Sequence, residues 1–460
     1  MPVRFRIEDP ALTAPLRWIE SAVRRAGGRT WLVGGCVRDL ALGLQPRDLD
    51  LEVFGIPPGQ LHGLLADEYS VQFVGHSFGV FKLGGLPIDI ALPTRRLTAN
   101  ATIPGLLQAA DPTMDIDDAL ARRDFTINAM AWDPDTLELR DPFNGRDDLA
   151  QRRLRHVSDR FGEDPLRVLR GMQLAARYEL TAAPETVALC RTLTQEGIPS
   201  ERLWDEWKKL LLRGTRPSIG LQWLTECGWI RFYPELAALQ SCPQDPEWHP
   251  EGDVWIHTLH CLDVFARERT GQADDDLTVG LGVLCHDFGK PATTKEEFGR
   301  ITSRGHEPEG EAPTRKFLER LTNQTGLADD VVALVRCHLR PRQLYDAKAS
   351  DSAVRRLAKQ VGRIDRLVRV ARADHLGRPP KPDDGFPAGA WLLDKAKALH
   401  VESQAPLPIV MGHHLLALGI QPGPDMGALL DDCYEAQLDG LFTTLDDGLT
   451  YLRNLLPPVR

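Results

Sequence analysis

The chain has 460 residues, about three times the ~150 of a typical domain, so several domains are expected rather than a single core. Hydrophobic residues make up 42% and charged residues 26%, a balance that excludes disordered and fibrous chains. A formal net charge of −10 excludes a uniformly basic nucleic-acid binder but leaves room for a local basic face.

In chain order, the opening MPVRFRIEDP lacks the apolar stretch of a signal peptide, and no later apolar run reaches the ~20 residues that span a bilayer. A cytoplasmic protein with no membrane partner is expected. Residues 12–26 have the spacing of an amphipathic helix, after which TWLV reads as a strand entering Gly34-Gly35, with a second helix from about Cys36. DLDLEVF alternates as a strand, and FGVFKLGG and LPIDIAL read as two more, joined at Gly84-Gly85. An α/β domain is therefore expected over residues 1–145. From Glu163 onward helical periodicity takes over (PLRVLRGMQLAARY, RLWDEWKKLLLR, SIGLQWLTECGWI), with proline breaks expected near 184, 217 and 243. The remainder reads as nearly all helix, divided at 240–252 and at the proline-rich 379–387. The eight cysteines form no CxxC pair and read as buried thiols rather than a disulfide or zinc framework.

Three features carry chemistry in the first half. Gly34-Gly35 stands where a strand passes into a helix, so backbone N–H groups can meet a phosphate there; the same pair serves equally as a tight turn. Asp48 and Asp50 alternate to one side of a strand, and their mutual repulsion calls for a divalent cation or a basic group, unless both are simply solvated at a strand edge. Hard oxygen donors of this kind suit Mg²⁺ held together with substrate phosphates. Glu52 shares that face at greater distance, and Asp89, flanked by apolar residues, offers a third carboxylate if its strand lies beside the first. Arginines accumulate between residues 122 and 177, marking one anion-binding region.

GGCVRD, DLDLEVFG, RRDFTINAMAWD (122–133), DPFNGRDDL (141–149) and LRHVSDRFGEDPLRVLRGMQLAARY (154–178), in this order and spacing, resemble the bacterial CCA-adding tRNA nucleotidyltransferases. These belong to the class shared with bacterial poly(A) polymerases, within the DNA polymerase β-like superfamily. The resemblance covers most of the first ~235 residues. It implies that Gly34, Gly35 and Arg38 contact the incoming triphosphate, that Asp48 and Asp50 hold Mg²⁺, and that Arg123 binds phosphate; Asp89, from its place on a neighbouring strand, is expected as a further catalytic carboxylate. It also implies that Asp164 and Arg167, at i and i+3 on one helical face, read the base edge, with Arg170 one step further on. Gln173 stands where related enzymes often carry another arginine, and the 93–115 loop keeps Arg95 and Arg96 but is otherwise mostly small or apolar.

The helical half carries His257, the doublet His286-Asp287, His306, His338 and Asp374, several within apolar helical sequence where each needs a buried partner. Imidazoles with carboxylates suit a divalent transition metal, with Lys290 near in sequence to meet phosphate. The pattern resembles the HD-type metal-dependent phosphohydrolases, which implies His257, His286, Asp287 and Asp374 as core ligands and His306 and His338 as further ligands or phosphate contacts. His260, His375, His413 and His414 are expected to be surface or core residues.

The expected architecture is a polymerase β-like α/β nucleotidyltransferase head (1–145), a helical neck for nucleotide recognition and RNA binding (146–238), an HD domain (239–380) and a helical tail (381–460). The expected function is template-independent addition of the 3′ CCA end of tRNA from CTP and ATP, with a second, phosphohydrolase activity. Two alternatives stay open: a poly(A) polymerase or a CC-only or A-only enzyme, and an HD phosphohydrolase whose head senses nucleotides.

Overall fold

The computed structural model describes residues 5–74, 80–94, 110–383 and 385–456. Arg95, Arg96 and the body of the loop discussed above lie outside the described residues. The chain divides into two compact units: the first holds residues 1–171, 178–196 and 226–228, and the second the remainder.

The first unit is built on seven strands: β1 (Arg29–Val33), β2 (Leu49–Phe54), β3 (Val71–Val74), β4 (Val80–Leu83), β5 (Ile88–Ala91), β6 (Ala131–Asp133) and β7 (Glu138–Arg140). They form one mixed sheet in the order β3-β4-β5-β2-β1-β6-β7. Only β2 and β5 pair in parallel, with Asp50 opposite Asp89; the other neighbours are antiparallel. Helix α1 (Pro10–Arg25) begins at Asp9, whose side chain accepts from the Ala11 N–H, with Pro10 in the first turn where its missing N–H costs nothing. Its Leu12, Leu16, Ile19 and Val23 recur every three or four residues and pack with Leu49, Leu51 and Val53 of β2 on one face of the sheet. Trp31, Val33 and Phe54 point to the opposite face and pack with Leu120 and Ala131. Helix α2 (Gly35–Ala41) follows β1 directly, and Gly34 makes the turn at φ 73°.

Three strands escape the sequence reading: Val71–Val74, Ala131–Asp133 and Glu138–Arg140, each too short to show convincing alternation. A two-stranded pair, Arg153–Leu154 with Thr181–Ala182, is also unforeseen. Pro184 and Pro217 start helices rather than interrupt them, because proline's fixed φ suits the first helical position.

In the second unit, α6 (Val254–Arg267), α7 (Ala273–Cys285), α8 (Thr325–Cys337) and α9 (Ile364–Leu376) pack on one another. They are preceded in the chain by α3 (Arg167–Tyr178), α4 (Ser200–Arg213) and α5 (Pro217–Glu226). A hairpin, Lys295–Glu297 with Arg300–Thr302, interrupts the helical series. Toward the C-terminus Val410, Leu415, Met426, Cys433 and Leu452 form a separate small core.

Candidate functional site

In the first unit, alternation along β2 buries Leu49 and Leu51 and sends Asp50 out the other way. Asp48, just before the strand, shares that side. Parallel pairing puts Asp89 directly across from Asp50, and all three carboxylates line a cavity of about 420 Å³ with Lys82 and the Gly84-Gly85 turn. Lys82 Nζ donates to both carboxylate oxygens of Asp89, at 3.0 and 2.9 Å. Asp50 opens to the cavity yet is crowded by protein. That desolvation raises its pKa above the ordinary carboxylate value, Arg123 opposes the rise, and Asp48 and Asp89 add like-charge repulsion. An all-carboxylate donor set that suffers mutual repulsion fits a hard divalent cation.

Arg123 lies close to Asp50. Its Nη2 bonds Glu52 Oε2 at 3.2 Å, and a Cβ at Gly34 would lie 2.8 Å from its Nη1 and 3.5 Å from Asp50 Oδ2. Gly34 is therefore glycine for two reasons, its positive φ and the close approach of Arg123. Glu52 is buried at 9% exposure and holds Arg123, so it does not line the carboxylate cavity.

Arg38 is buried. It donates to Asp39 and to Asn128 Oδ1 (2.6 Å), and its guanidinium lies 4.4 Å over the Tyr178 ring. Asn128 in turn donates to Asp124, which also accepts from Arg170 Nε at 2.7 Å and from the Phe125 N–H. Burial would raise the Asp124 pKa, but Arg170, Asn128 and the backbone N–H hold it down at about 2. The chain Arg170–Asp124–Asn128–Arg38 thus fixes two of the expected nucleotide-binding arginines through two residues that the sequence reading passed over. Their signal was present: Asp124 is a lone acid between Arg122-Arg123 and the apolar FTINAM.

Asp164 does not share a helical face with Arg167. Asp164 is extended (φ −133°, ψ 95°) and α3 starts at Arg167. The cause is Pro165, which disfavours helical backbone in the residue before it. The Asp164 carboxylate accepts instead from the Leu166 N–H, while Arg167 donates to the carbonyls of Arg160 (2.9 Å) and Arg122 (2.6 Å). Asp164, Arg167, Arg170 and Asp124 still share one electrostatic neighbourhood. Gln173, one step beyond Arg170, is buried.

In the second unit six residues far apart in sequence converge. His257 on α6, His286 and Asp287 at the end of α7, His306, His338 at the end of α8 and Asp374 on α9 are brought within contact of one another. Their tautomers follow from their outer bonds. Nδ1 of His286 donates to Val283 O (2.8 Å), that of His306 to Ser303 O (2.8 Å) and that of His338 to Val335 O (2.7 Å). His257 Nδ1 meets Glu251 Oε1 at 2.8 Å and Gly377 O at 3.2 Å. Nε2 of His286, His306 and His338 therefore turns a lone pair inward, while His257 Nε2 meets Asp374 Oδ1 at 3.1 Å and lies 3.3 Å from His286 Nε2. The Nε2 atoms of His306 and His338 lie 3.2 Å apart, a repulsive arrangement that a cation relieves. Asp287 is buried with neither carboxylate oxygen in a hydrogen bond, although Lys290 Nζ stands 2.8 Å from Oδ2. Two donor groups result: His257, Cys261, His286 and Asp374, and Asp287, His306 and His338. The residues fit a metal.

Two of these residues were not singled out from sequence. Glu251 orients His257 and His249 together, and although burial opposes it, those bonds hold its pKa at about 2. Cys261 lies against His257. A cavity of about 820 Å³ opens over Asp287, His306, His338 and Asp374 and is rimmed by Lys290, Arg304 and Arg378. His375, expected to be structural or superficial, lines it, with its ring 5.0 Å from Phe386.

Comparison with known proteins joins the two sites. The sequence matches the poly A polymerase head domain family over residues 30–155 and the HD domain family over residues 254–378. It is 38% identical over 389 residues to the Multifunctional CCA protein of Laribacter hongkongensis (strain HLHK9), covering 81% of this chain and 91% of that one. Among solved structures, the Bacillus stearothermophilus CCA-adding enzyme in complex with CTP is similar at TM-score 0.67 and 20% identity, over 97% of this chain and 98% of that one. The Thermotoga maritima CCA-adding enzyme complexed with tRNA-CCA is similar at TM-score 0.58 and 22% identity, over 98% and 96%. The structural likenesses speak for a shared fold, and the sequence identity over most of both chains decides the lineage: this chain belongs to the multifunctional CCA protein family, nucleotidyltransferases with an HD domain.

Proposed function

We propose that the chain adds or repairs the 3′ CCA end of tRNA, using CTP and ATP and releasing pyrophosphate, and that it works in the cytoplasm. The observation that carries this reading is the register of β2 and β5, which sets Asp50 against Asp89 beside Asp48 at one cavity, with Arg123 near enough to oppose the rise in the Asp50 pKa. Asp48, Asp50 and Asp89 hold Mg²⁺, which supplies charge neutralisation at the transferring phosphoryl group. The bare backbone at Gly34-Gly35 and the guanidinium of Arg123 receive the triphosphate, and the buried Arg38 braces that wall through Asn128. Asp164 and Arg167 present an acceptor and donors to the base edge, so protein stands in for a template, and Arg170 is set beside them by Asp124. We assign these roles to the head (1–145) and neck (146–238). Incubating tRNA that lacks its 3′ end with CTP alone, ATP alone and both tests the reading; extension by A alone, repeated, would instead support a poly(A) polymerase.

A second activity is supported by one specific observation, the buried Asp287 on which the Nε2 atoms of His286 and His306 converge, at 3.2 and 3.4 Å from its oxygens. In this reading the HD domain (239–380) hydrolyses phosphoesters. A divalent transition metal bound there supplies Lewis acidity beside the substrate phosphate. Lys290, Arg304 and Arg378 attract the phosphate into the cavity, and Glu251 holds His257 in its ligating tautomer. Hydrolysis of 2′,3′-cyclic nucleotides and simple phosphoesters after loading with each metal tests it.

A further inference from the structure

Four neighbouring strands of the head sheet carry one polar row. Gln72 on β3 stands opposite Lys82 on β4, Lys82 opposite Asp89 on β5, and Asp89 opposite Asp50 on β2. All four residues line the carboxylate cavity together with Asp48. Alternation along β4 explains the place of the lysine: Phe81 and Leu83 on either side of it are buried in the core under the sheet, so Lys82 leaves by the other face.

The row sets Lys82 and Asp50 on opposite sides of Asp89, so each approaches that carboxylate from a different strand. Lys82 Nζ stands within hydrogen-bond distance of both Asp89 oxygens. A divalent cation held jointly by Asp50 and Asp89 needs one of those same oxygens, at about 2.0–2.1 Å for Mg²⁺. Ammonium and ion on one carboxylate would face each other as like charges a few ångströms apart. The ammonium also cancels one of the three formal negative charges at the cavity, and what remains matches a single divalent ion. The pair is nonetheless easy to part. The side chains of Lys82 and Asp89 are 48% and 40% exposed, so water screens their attraction.

We propose that Lys82 is a positioning residue that acts through Asp89, a tethered counter-ion that withholds this carboxylate from divalent cations until nucleotide enters. This rests on the reading of Asp48, Asp50 and Asp89 as the Mg²⁺ site of nucleotide addition. Before nucleotide binds, Asp89 stays with Lys82, and only Asp48 and Asp50 are available to an ion. When a triphosphate enters with its own cation, Lys82 yields Asp89 and its ammonium turns to the added phosphate charge. Asp89 therefore joins the site only when there is a phosphate to share its ion.

The test measures Mn²⁺ binding to the full chain by electron paramagnetic resonance, first without nucleotide. Only head residues are changed, so the contribution of the HD domain is common to every variant. Lys82→Met keeps the apolar stem and loses the charge; it should bind Mn²⁺ at the head about tenfold more tightly than wild type. Lys82→Arg, which keeps the charge, should stay within about twofold of wild type. Adding Asp89→Asn to Lys82→Met should abolish the gain, and adding CTP should bring wild type and Lys82→Met together. Equal Mn²⁺ affinity in wild type and Lys82→Met without nucleotide overturns the proposal, as does a gain that survives Asp89→Asn or one that CTP does not reduce. These results leave the Mg²⁺ site itself standing. An Asp50→Ala variant that binds as much Mn²⁺ as wild type, with and without CTP, removes the reading of the three carboxylates and the role of Lys82 with it.

Discussion

The two centres of this chain solve opposite problems. In the head, three carboxylates stand at the open side of a sheet, Asp89 already tied to Lys82 and Asp50 raised in pKa by its surroundings. In the HD domain, four histidines and an aspartate are buried at 7% exposure or less, and three of the histidines turn the Nε2 lone pair inward with Nδ1 anchored on a backbone carbonyl. In the function proposed above, the first centre is completed by the cation and triphosphate that arrive with substrate. The second has its donor side chains assembled in advance. A carboxylate cavity open to solvent suits a cation that comes and goes with each nucleotide, whereas a buried imidazole cage suits one that stays.

The largest expected effect breaks this comparison on the head side. Asp50→Ala removes a cation ligand and little packing, so nucleotide addition should fall by roughly 10³-fold or more while phosphoester hydrolysis is kept. Single-nucleotide incorporation and hydrolysis on one preparation measure both. On the other side, Asp287→Ala takes away the carboxylate that lies beside both donor groups. Metal content by elemental analysis and hydrolysis should drop by roughly 100-fold, with nucleotide addition within about twofold of wild type. Loss of addition in correctly folded Asp287→Ala would show that the centres are not independent.

Smaller effects sharpen the picture of how the head holds its arginines. Asp124 is held at a pKa of about 2 in the folded chain, below the ordinary aspartate value of about 3.9. Its stabilisation is therefore fully present above about pH 4 and is lost as pH falls through about 2, amounting to roughly 2 kcal/mol at neutral pH. Asp124→Asn should lower the thermal midpoint by roughly 4–8 °C at pH 7 and by less in acid, where the wild type has lost the same contribution. Thermal melts from pH 7 to pH 2 check this; a difference that does not shrink in acid would place the role of Asp124 elsewhere. Gly34→Ala, at φ 73° and 2.8 Å from Arg123, should cost about 1 kcal/mol of stability. It should also raise the KM for nucleotide several-fold with a smaller change in kcat, since it displaces a phosphate-binding guanidinium rather than a cation ligand.

Local pattern made the core of the head legible. Alternation identified β2 and put Asp48 and Asp50 on one side, and apolar flanks marked Asp89 as a strand residue. The pairing that sets Asp50 against Asp89 is a matter of sheet order, which no local pattern carries. Strands of three or four residues such as β6 and β7 offer too few alternations to detect. The placement of Asp164 on a helix overlooked a rule visible in the sequence, that the residue before Pro165 resists helical backbone. In the HD domain the histidines and aspartates stood out because each is costly to bury alone. Cys261 did not, because a thiol is at home in a core and its place against the His257 ring is visible only in the folded chain.

The most direct measurement is sequencing of the 3′ ends of a tRNA lacking its terminal CCA after incubation with the full chain, Mg²⁺, CTP and ATP. The account predicts ends extended by C, C and A and then no further, with no extension by the Asp50→Ala variant. Unextended ends from active, folded protein, or a run of adenosines in place of CCA, would contradict it.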